Sequence, residues 1–366
     1  MVIHTDTYKQ KTKSLVLKPF DGEFKTSWQS PSNIALVKYW GKKDIQIPQN
    51  PSLSFGLKNS FSETSVTYSY NPLRKMDLEF LFDGKTNEAF AKRVRKFLDA
   101  ITYLMPFLSN LKLKVESTNS FPHSSGIASS ASAMSALALC LVSIERDLFG
   151  TPKAEKEFYE KASFIARLGS GSAARSVYPG YVVWGENNLN SNSSNKVAIE
   201  LDNKIHEEFS SLGDAILITS SAKKQVSSSD GHGLMESHPY ASARYEQAEK
   251  NLKKLILALK NGNDNDFIAV LENEALSLHS SMMSSNPGFS LLNANTWEII
   301  NRIKEYRKQN NKMIAFTLDA GPNVHLIYKP KDKTEITNFI ASELEQFCEN
   351  GYWIDDQMGN GPEKLI

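Results

Sequence analysis

Three short segments of the 366-residue chain combine residue types that could handle an anionic substrate. "SPSNIALVKYWGKKD" (30–44) sets Lys38, Lys42 and Lys43 beside Tyr39 and Trp40. "LGSGSAARS" (168–176) sets Arg175 behind Ser170 and Ser172. "TLDAGPNVHLIY" (317–328) puts Asp319 where Gly321 and Pro322 stop a strand. Lysine supplies a compact charge, arginine a planar fork that matches carboxylate or phosphate, and an aspartate a base or an electrostatic anchor. Each segment alone also has a plain structural use: a solvated basic edge, a surface arginine, an Asx-type turn.

A fourth segment, "NSFPHSSGIASSASAMSALALCL" (119–141), is nearly all Ser, Gly and Ala, so its chemistry must come mainly from the backbone. Its centre runs Pro122, His123, Ser124, Ser125, Gly126, Ile127, Ala128, Ser129, Ser130. Small residues admit a ligand close to the main chain. The helix expected from about Ser129 to Gly150 presents unpaired amides and a favourable dipole to an anion. Ser129, Ser130 and Ser132 add hydroxyls for phosphate oxygens or Mg²⁺. Neither GxxxxGK[ST] nor GxGxxG is present. The loop therefore reads equally as a phosphate cradle or as a tightly packed helix start.

The elements that must position these groups are legible from periodicity. Strand-like runs are "NIALVKYWG", "PSLSFGL", "ETSVTYSY", "LKLKVESTN", "GYVVWGE", "AILITSS" and the pair within "MIAFTLDAGPNVHLIY". Helical spacing marks "NEAFAKRVRKFLDAITYL", "KAEKEFYEKASFIARLG" and about 241–261. "NNLNSNSSNK" reads as a hairpin tip or loop. Residues 1–25 are a polar extension, and a boundary near 205 divides an N-terminal unit (26–205) from a C-terminal one (206–366).

With 42 basic and 41 acidic residues the net charge is +1, which argues against a nucleic-acid surface. The N-terminus lacks a signal-like apolar core, and the longest apolar run, Ala136 to Val142, is too short to span a membrane. Cys140 and Cys348 sit in no metal-like cluster and read as reduced thiols. A cytoplasmic location is the expectation.

Taken together, "NIALVKYWGKKD", "FPHSSGIASSAS", "ARLGSGSAARSVYPGYVVW" and "FTLDAGPN" resemble, in order and spacing, the mevalonate diphosphate decarboxylases of the GHMP kinase superfamily. The resemblance spans about 30–328. It implies an N-terminal α/β domain with a left-handed βαβ crossover, a C-terminal ferredoxin-like α/β domain, and an active site in the cleft between them. It implies ATP- and Mg²⁺-dependent decarboxylation of mevalonate 5-diphosphate to isopentenyl diphosphate. Asp319, Lys38 and Arg175 then match the catalytic positions. Tyr39, Lys42, Ser170, Ser172, Arg175 and one of Ser227, Ser228 and Ser229, taken as Ser228, match substrate-binding positions. Pro122, Ser124, Ser125, Gly126, Ala128, Ser129, Ser130 and Ser132 would hold the nucleotide, with Ser129 and Ser130 nearest the metal. A homodimer, with no nucleic-acid or membrane partner, completes the expectation. A relative acting on mevalonate 5-phosphate or mevalonate, and a non-catalytic ATP-binding paralogue, are the alternatives. Gly56 stands where a threonine is frequent in the family.

Overall fold

A computed structural model describes residues 15–122, 127–201, 204–222 and 226–366. Two long antiparallel strands, β1 (Glu23–Val37) and β4 (Ser52–Tyr70), form its spine. Between them lies a small ribbon of β2 (Lys42–Lys43) and β3 (Ile47–Pro48). β1 begins before the point where the polar extension was expected to end. The runs "PSLSFGL" and "ETSVTYSY" join into one strand, because "KNSFS" between them contains neither Gly nor Pro to break it. The first half of β4 is buried on both faces, and only the second half alternates.

Further strands of this sheet are β5 (Asp77–Phe82), β6 (Lys85–Thr86), β7 (Leu111–Asn119), β8 (Tyr181–Trp184) and β9 (Ala198–Glu200). β5 and β7 are a parallel pair connected through α1 (Glu88–Ile101), and β8 and β9 are joined by the predicted hairpin segment. α1 turns Val94, Phe97, Leu98 and Ile101 inward, as its periodicity predicts. α2 (Ser129–Phe149) runs through the middle of the core. It ends at Gly150, whose φ of 66° is the left-handed cap expected of glycine. α3 (Glu155–Gly169) packs beside α2 and delivers the chain to the 170–176 turn.

The second sheet comprises β10 (Gly213–Leu217), β11 (Ile314–Leu318), β12 (Val324–Tyr328) and β13 (Trp353–Gln357), all antiparallel, in the order β11-β12-β10-β13. Helices α4 (Ser228–Leu234), α5 (Ala241–Asn261), α6 (Asp264–Met283) and α7 (Ala294–Asn310) lie between β10 and β11, and α8 (Lys333–Phe339) lies between β12 and β13. This β-α-β-β-α-β connectivity is the ferredoxin-like arrangement.

The two sheets share apolar packing. Ile34, Leu36, Phe55 and Tyr181 of the first join Ile216 and Ile327 of the second, together with Leu252, Leu255 and Phe267. The chain also returns: β14 (Glu363–Lys364) pairs with β1, Lys364 opposite Trp28. The last strand therefore completes the first sheet rather than the second. Among the described residues no helix is long and apolar enough to cross a membrane.

Candidate active site

A cleft of about 440 Å³ lies where the ends of β1 and β11 meet. β1 stops at Val37, so Lys38 leaves the strand at the cleft wall and is only 2% exposed. Its Nζ donates to the Ala35 carbonyl at 2.5 Å and to Asp319 Oδ1 at 3.3 Å. Asp319 follows β11 directly. Its carbonyl accepts from Gly321 at 2.7 Å, which makes the tight turn its neighbours predict. Its carboxylate does not close that turn. It reaches across the cleft to Lys38, which favours the functional reading of the segment over the Asx-turn reading. Burial pushes the Lys38 ammonium down from its ordinary value, and the Asp319 and Glu274 charges oppose that shift.

Arg175 ends the short turn Gly171–Arg175 and is 3% exposed. Nε donates to Ser54 Oγ at 2.8 Å, Nη1 to Ser52 Oγ at 2.5 Å and Nη2 to Asn33 Oδ1 at 3.1 Å. These bonds use three of its five donors and aim the fork, leaving the others for an anion in the cleft. Burial lowers its pKa to about 10, so it stays charged at neutral pH. Gly171 is required by close approach: a Cβ there would lie 2.8 Å from Tyr39 Oη and 2.9 Å from the Trp184 ring.

Tyr39 sits edge-on to Trp184 with ring centroids 4.7 Å apart, and its hydroxyl contacts Gln46 at 3.4 Å. Lys42 Nζ donates to Ser229 Oγ at 3.2 Å, and burial lowers its pKa. Ser227 is occupied as the α4 cap, accepting from the Asp230 amide at 3.2 Å and donating to Asp230 Oδ2 at 2.6 Å. Ser228 and Ser229 line the same wall. Ser129 and Ser130 open α2 and also line the cleft, where Ser130 Oγ lies 3.3 Å from Ser170 Oγ. Ala128 precedes them in the left-handed region, at φ 39° and ψ 38°. Ser172 lines the cleft, and its carbonyl accepts from Asn33 Nδ2 at 3.3 Å.

Not every predicted nucleotide residue reaches this cleft. Ser132 is fully buried, hydrogen-bonded to Ser62 Oγ at 2.7 Å and to the Ser129 carbonyl at 3.1 Å. Helical rotation carries it into the seam between α2 and β4. Pro122 is exposed and does not line the cleft. Ser124, Ser125 and Gly126 lie outside the described residues.

Sequence reasoning missed Asn33, Ser52, Ser54, Glu274 and His232. Short polar residues in a strand and an acid in a helix carry no local signal of such roles. His232 lies between Tyr39 and Trp40, with ring centroids at 4.4 and 4.5 Å, and its Nδ1 accepts from the Gly41 amide at 3.0 Å. Burial, aided by Lys42, lowers its pKa to about 3. The folded state therefore holds a neutral ring while the unfolded chain binds a proton below about 6.5. Stability from this group is present above that value and lost as pH falls toward 3. Urea denaturation should show an acid loss of about 1 kcal/mol per pH unit below pH 6 that is smaller in His232→Gln. Identical slopes would remove His232 as the cause.

The fold and cleft define a two-domain GHMP-type enzyme that brings buried cations and one carboxylate to an anionic substrate. Residues 30–195 match the diphosphomevalonate decarboxylase-like N-terminal domain, and residues 215–360 match the mevalonate 5-diphosphate decarboxylase C-terminal domain. The diphosphomevalonate decarboxylase of Debaryomyces hansenii is 30% identical over 331 residues, covering 87% of this chain and 82% of the relative. The mevalonate diphosphate decarboxylase structure from Staphylococcus aureus superposes with a TM-score of 0.80 at 25% identity, covering 94% of this chain and 99% of that one. A structure of MDDEF in complex with MVAPP, AMPPCP and magnesium gives 0.79 at 26% identity, with coverages of 94% and 99%. The chain belongs to the diphosphomevalonate decarboxylase family.

Proposed function

We infer that the chain catalyses the ATP-dependent decarboxylation of mevalonate 5-diphosphate to isopentenyl diphosphate, CO₂, ADP and phosphate. The observation that carries this is the Lys38–Asp319 pair, held across the cleft beside the fixed fork of Arg175. Family membership and the substrate and nucleotide analogue bound by the MDDEF structure support it.

In this reading Arg175, Lys42 and the serines 170, 172 and 228 hold the substrate's diphosphate and carboxylate. Asp319 orients the tertiary hydroxyl and takes its proton as the γ-phosphoryl group transfers to that oxygen. Lys38 sets the field around the carboxylate. The phosphate then leaves with the C–O electron pair, and the carbon–carboxylate bond breaks to supply the electrons of the new double bond. Positioning and electrostatics do most of this work.

Nucleotide phosphates belong at the start of α2, among Ser129, Ser130 and the helix amides. The donors there are hard hydroxyl oxygens. Such oxygens suit Mg²⁺, which is commonly held through phosphates with few protein ligands. When bound it neutralises phosphate charge. Ser130→Ala should lower turnover severalfold while Mg-ATP still raises the melting temperature, on the scale of one lost hydrogen bond. Full turnover would remove the hydroxyl from the nucleotide site.

The ATP-binding unit is assigned to 26–205 and the second unit to 206–366. The two buried, unpaired cysteines favour a reducing, cytoplasmic setting. A homodimer is part of the same reading, and sedimentation equilibrium would test it. The central experiment supplies ATP, Mg²⁺ and mevalonate 5-diphosphate, with mevalonate 5-phosphate and mevalonate in parallel, and follows both CO₂ and ADP. Matched release from the diphosphate supports the assignment. ADP without CO₂ would make the enzyme a 3-hydroxyl kinase instead.

A further inference from the structure

The Lys38–Asp319 pair joins residues from the two domains, so something must fix their separation. One helix, α6, touches the main chain of both. Glu274 is fully buried, and its Oε2 accepts from the Lys38 amide at 2.8 Å. His279, 1% exposed, lies 3.0 Å from the Asp319 carbonyl through Nε2. A carbonyl only accepts, so Nε2 is the donor. The two side chains are five residues apart, about 7.5 Å along the helix axis.

Glu274 is itself held on every side. Arg244 of α5 donates to Oε2 at 2.5 Å and to Oε1 at 3.1 Å, and Asn251 Nδ2 donates to Oε1 at 2.7 Å. All four acceptor positions of the carboxylate are filled. A buried ion pair is weak evidence for stability, because apolar residues of similar volume often serve as well. What apolar residues could not do is accept the Lys38 amide. The Lys38 carbonyl is fixed too, by Asn50 Nδ2 at 2.9 Å.

We propose that Glu274 and His279 are positioning residues, and that α6 sets the distance between Lys38 and Asp319 by gripping both main chains. Neither side chain need touch substrate. The proposal rests on the decarboxylase reading, and wild-type enzyme without CO₂ release would refute that reading rather than this one.

The test is kinetic. His279→Leu should fold and keep Mg-ATP stabilisation, with KM for both substrates within about threefold of wild type. Its kcat should fall by about 10²-fold, the scale of an ångström-level misplacement, whereas Glu274→Gln, whose amide oxygen can still accept the Lys38 amide, should keep most of its turnover. His279→Gln, which can place an amide donor near the Nε2 position, should recover most of the turnover lost in His279→Leu. The double variant Glu274→Leu/Arg244→Met separates positioning from stability. It should regain wild-type melting temperature and still turn over slowly. Wild-type turnover in the double variant, or a folded His279→Leu with kcat within twofold of wild type, would overturn the proposal.

Discussion

Asp319→Asn is expected to fold, to retain its stabilisation by Mg-ATP, and to lose about 10²–10⁴ of its turnover. The substitution keeps the shape and removes the charge. Two things follow at one place. The substrate hydroxyl loses the group that would take its proton, and Lys38 loses the carboxylate 3.3 Å from its Nζ. Burial already lowers the Lys38 pKa, and the Asp319 charge is the largest influence opposing that. Glu274 then remains as the opposing charge, with Arg175 acting in the other direction. The Lys38 pKa must fall further in the variant. The alkaline limb of its kcat profile should therefore move to lower pH, alongside the loss of rate. Turnover within a few-fold of wild type would take Asp319 out of the mechanism. Loss of rate with an unmoved alkaline limb would leave Asp319 catalytic and remove Lys38 as the titrating group.

The parts of this site that were legible in the sequence are those where local chemistry is unusual. A helix made almost entirely of small and apolar residues had to be buried, and α2 runs from Ser129 to Phe149 with its glycine cap in place. Strict alternation in "LKLKVESTN" gives β7 without change. Asp before Gly and Pro marked a strand end, and the family resemblance turned that turn residue into a catalytic candidate. What local pattern could not supply is partnership over distance. Ser52 and Ser54 look like ordinary strand polars until Arg175, more than 120 positions away, is found donating to both. Glu274 lies in "LENEALSLHS", which reads as the solvated face of an amphipathic helix. It is buried because Arg244 and the Lys38 amide meet it there. Likewise "PEKLI" at the end of the chain has no strand-like length. It becomes β14 only because β1 offers a free edge beside Trp28.

The same distant contacts decide how Arg175→Lys should behave. A lysine keeps a charge on a flexible stem but has three donors at a single point. It cannot reach Ser52, Ser54 and Asn33 together while also facing the cleft. Hydroxyls that are now satisfied inside the protein would lose their partner, at about 1–3 kcal/mol for each buried polar group left unpaired. Desolvation acts on the new side chain as well. Burial brings the arginine down to about 10, and a lysine starts from a lower ordinary value. The replacement ammonium is thus carried toward neutral pH and holds its charge less firmly. The expected result is a higher KM for mevalonate 5-diphosphate, a kcat lower by about tenfold or more, consistent with loss of a forked charge-assisted contact, and ATP binding that changes little. A lowered pH optimum should accompany these changes, because acid restores the ammonium. Steady-state kinetics between pH 6 and 9, with ATP-induced melting shifts measured alongside, would check each point. If KM, kcat and the pH optimum all match the wild type in a folded variant, the guanidinium is only a strut between β4 and the 170–176 turn, and the substrate's anionic groups are held by Lys42 and the serines instead.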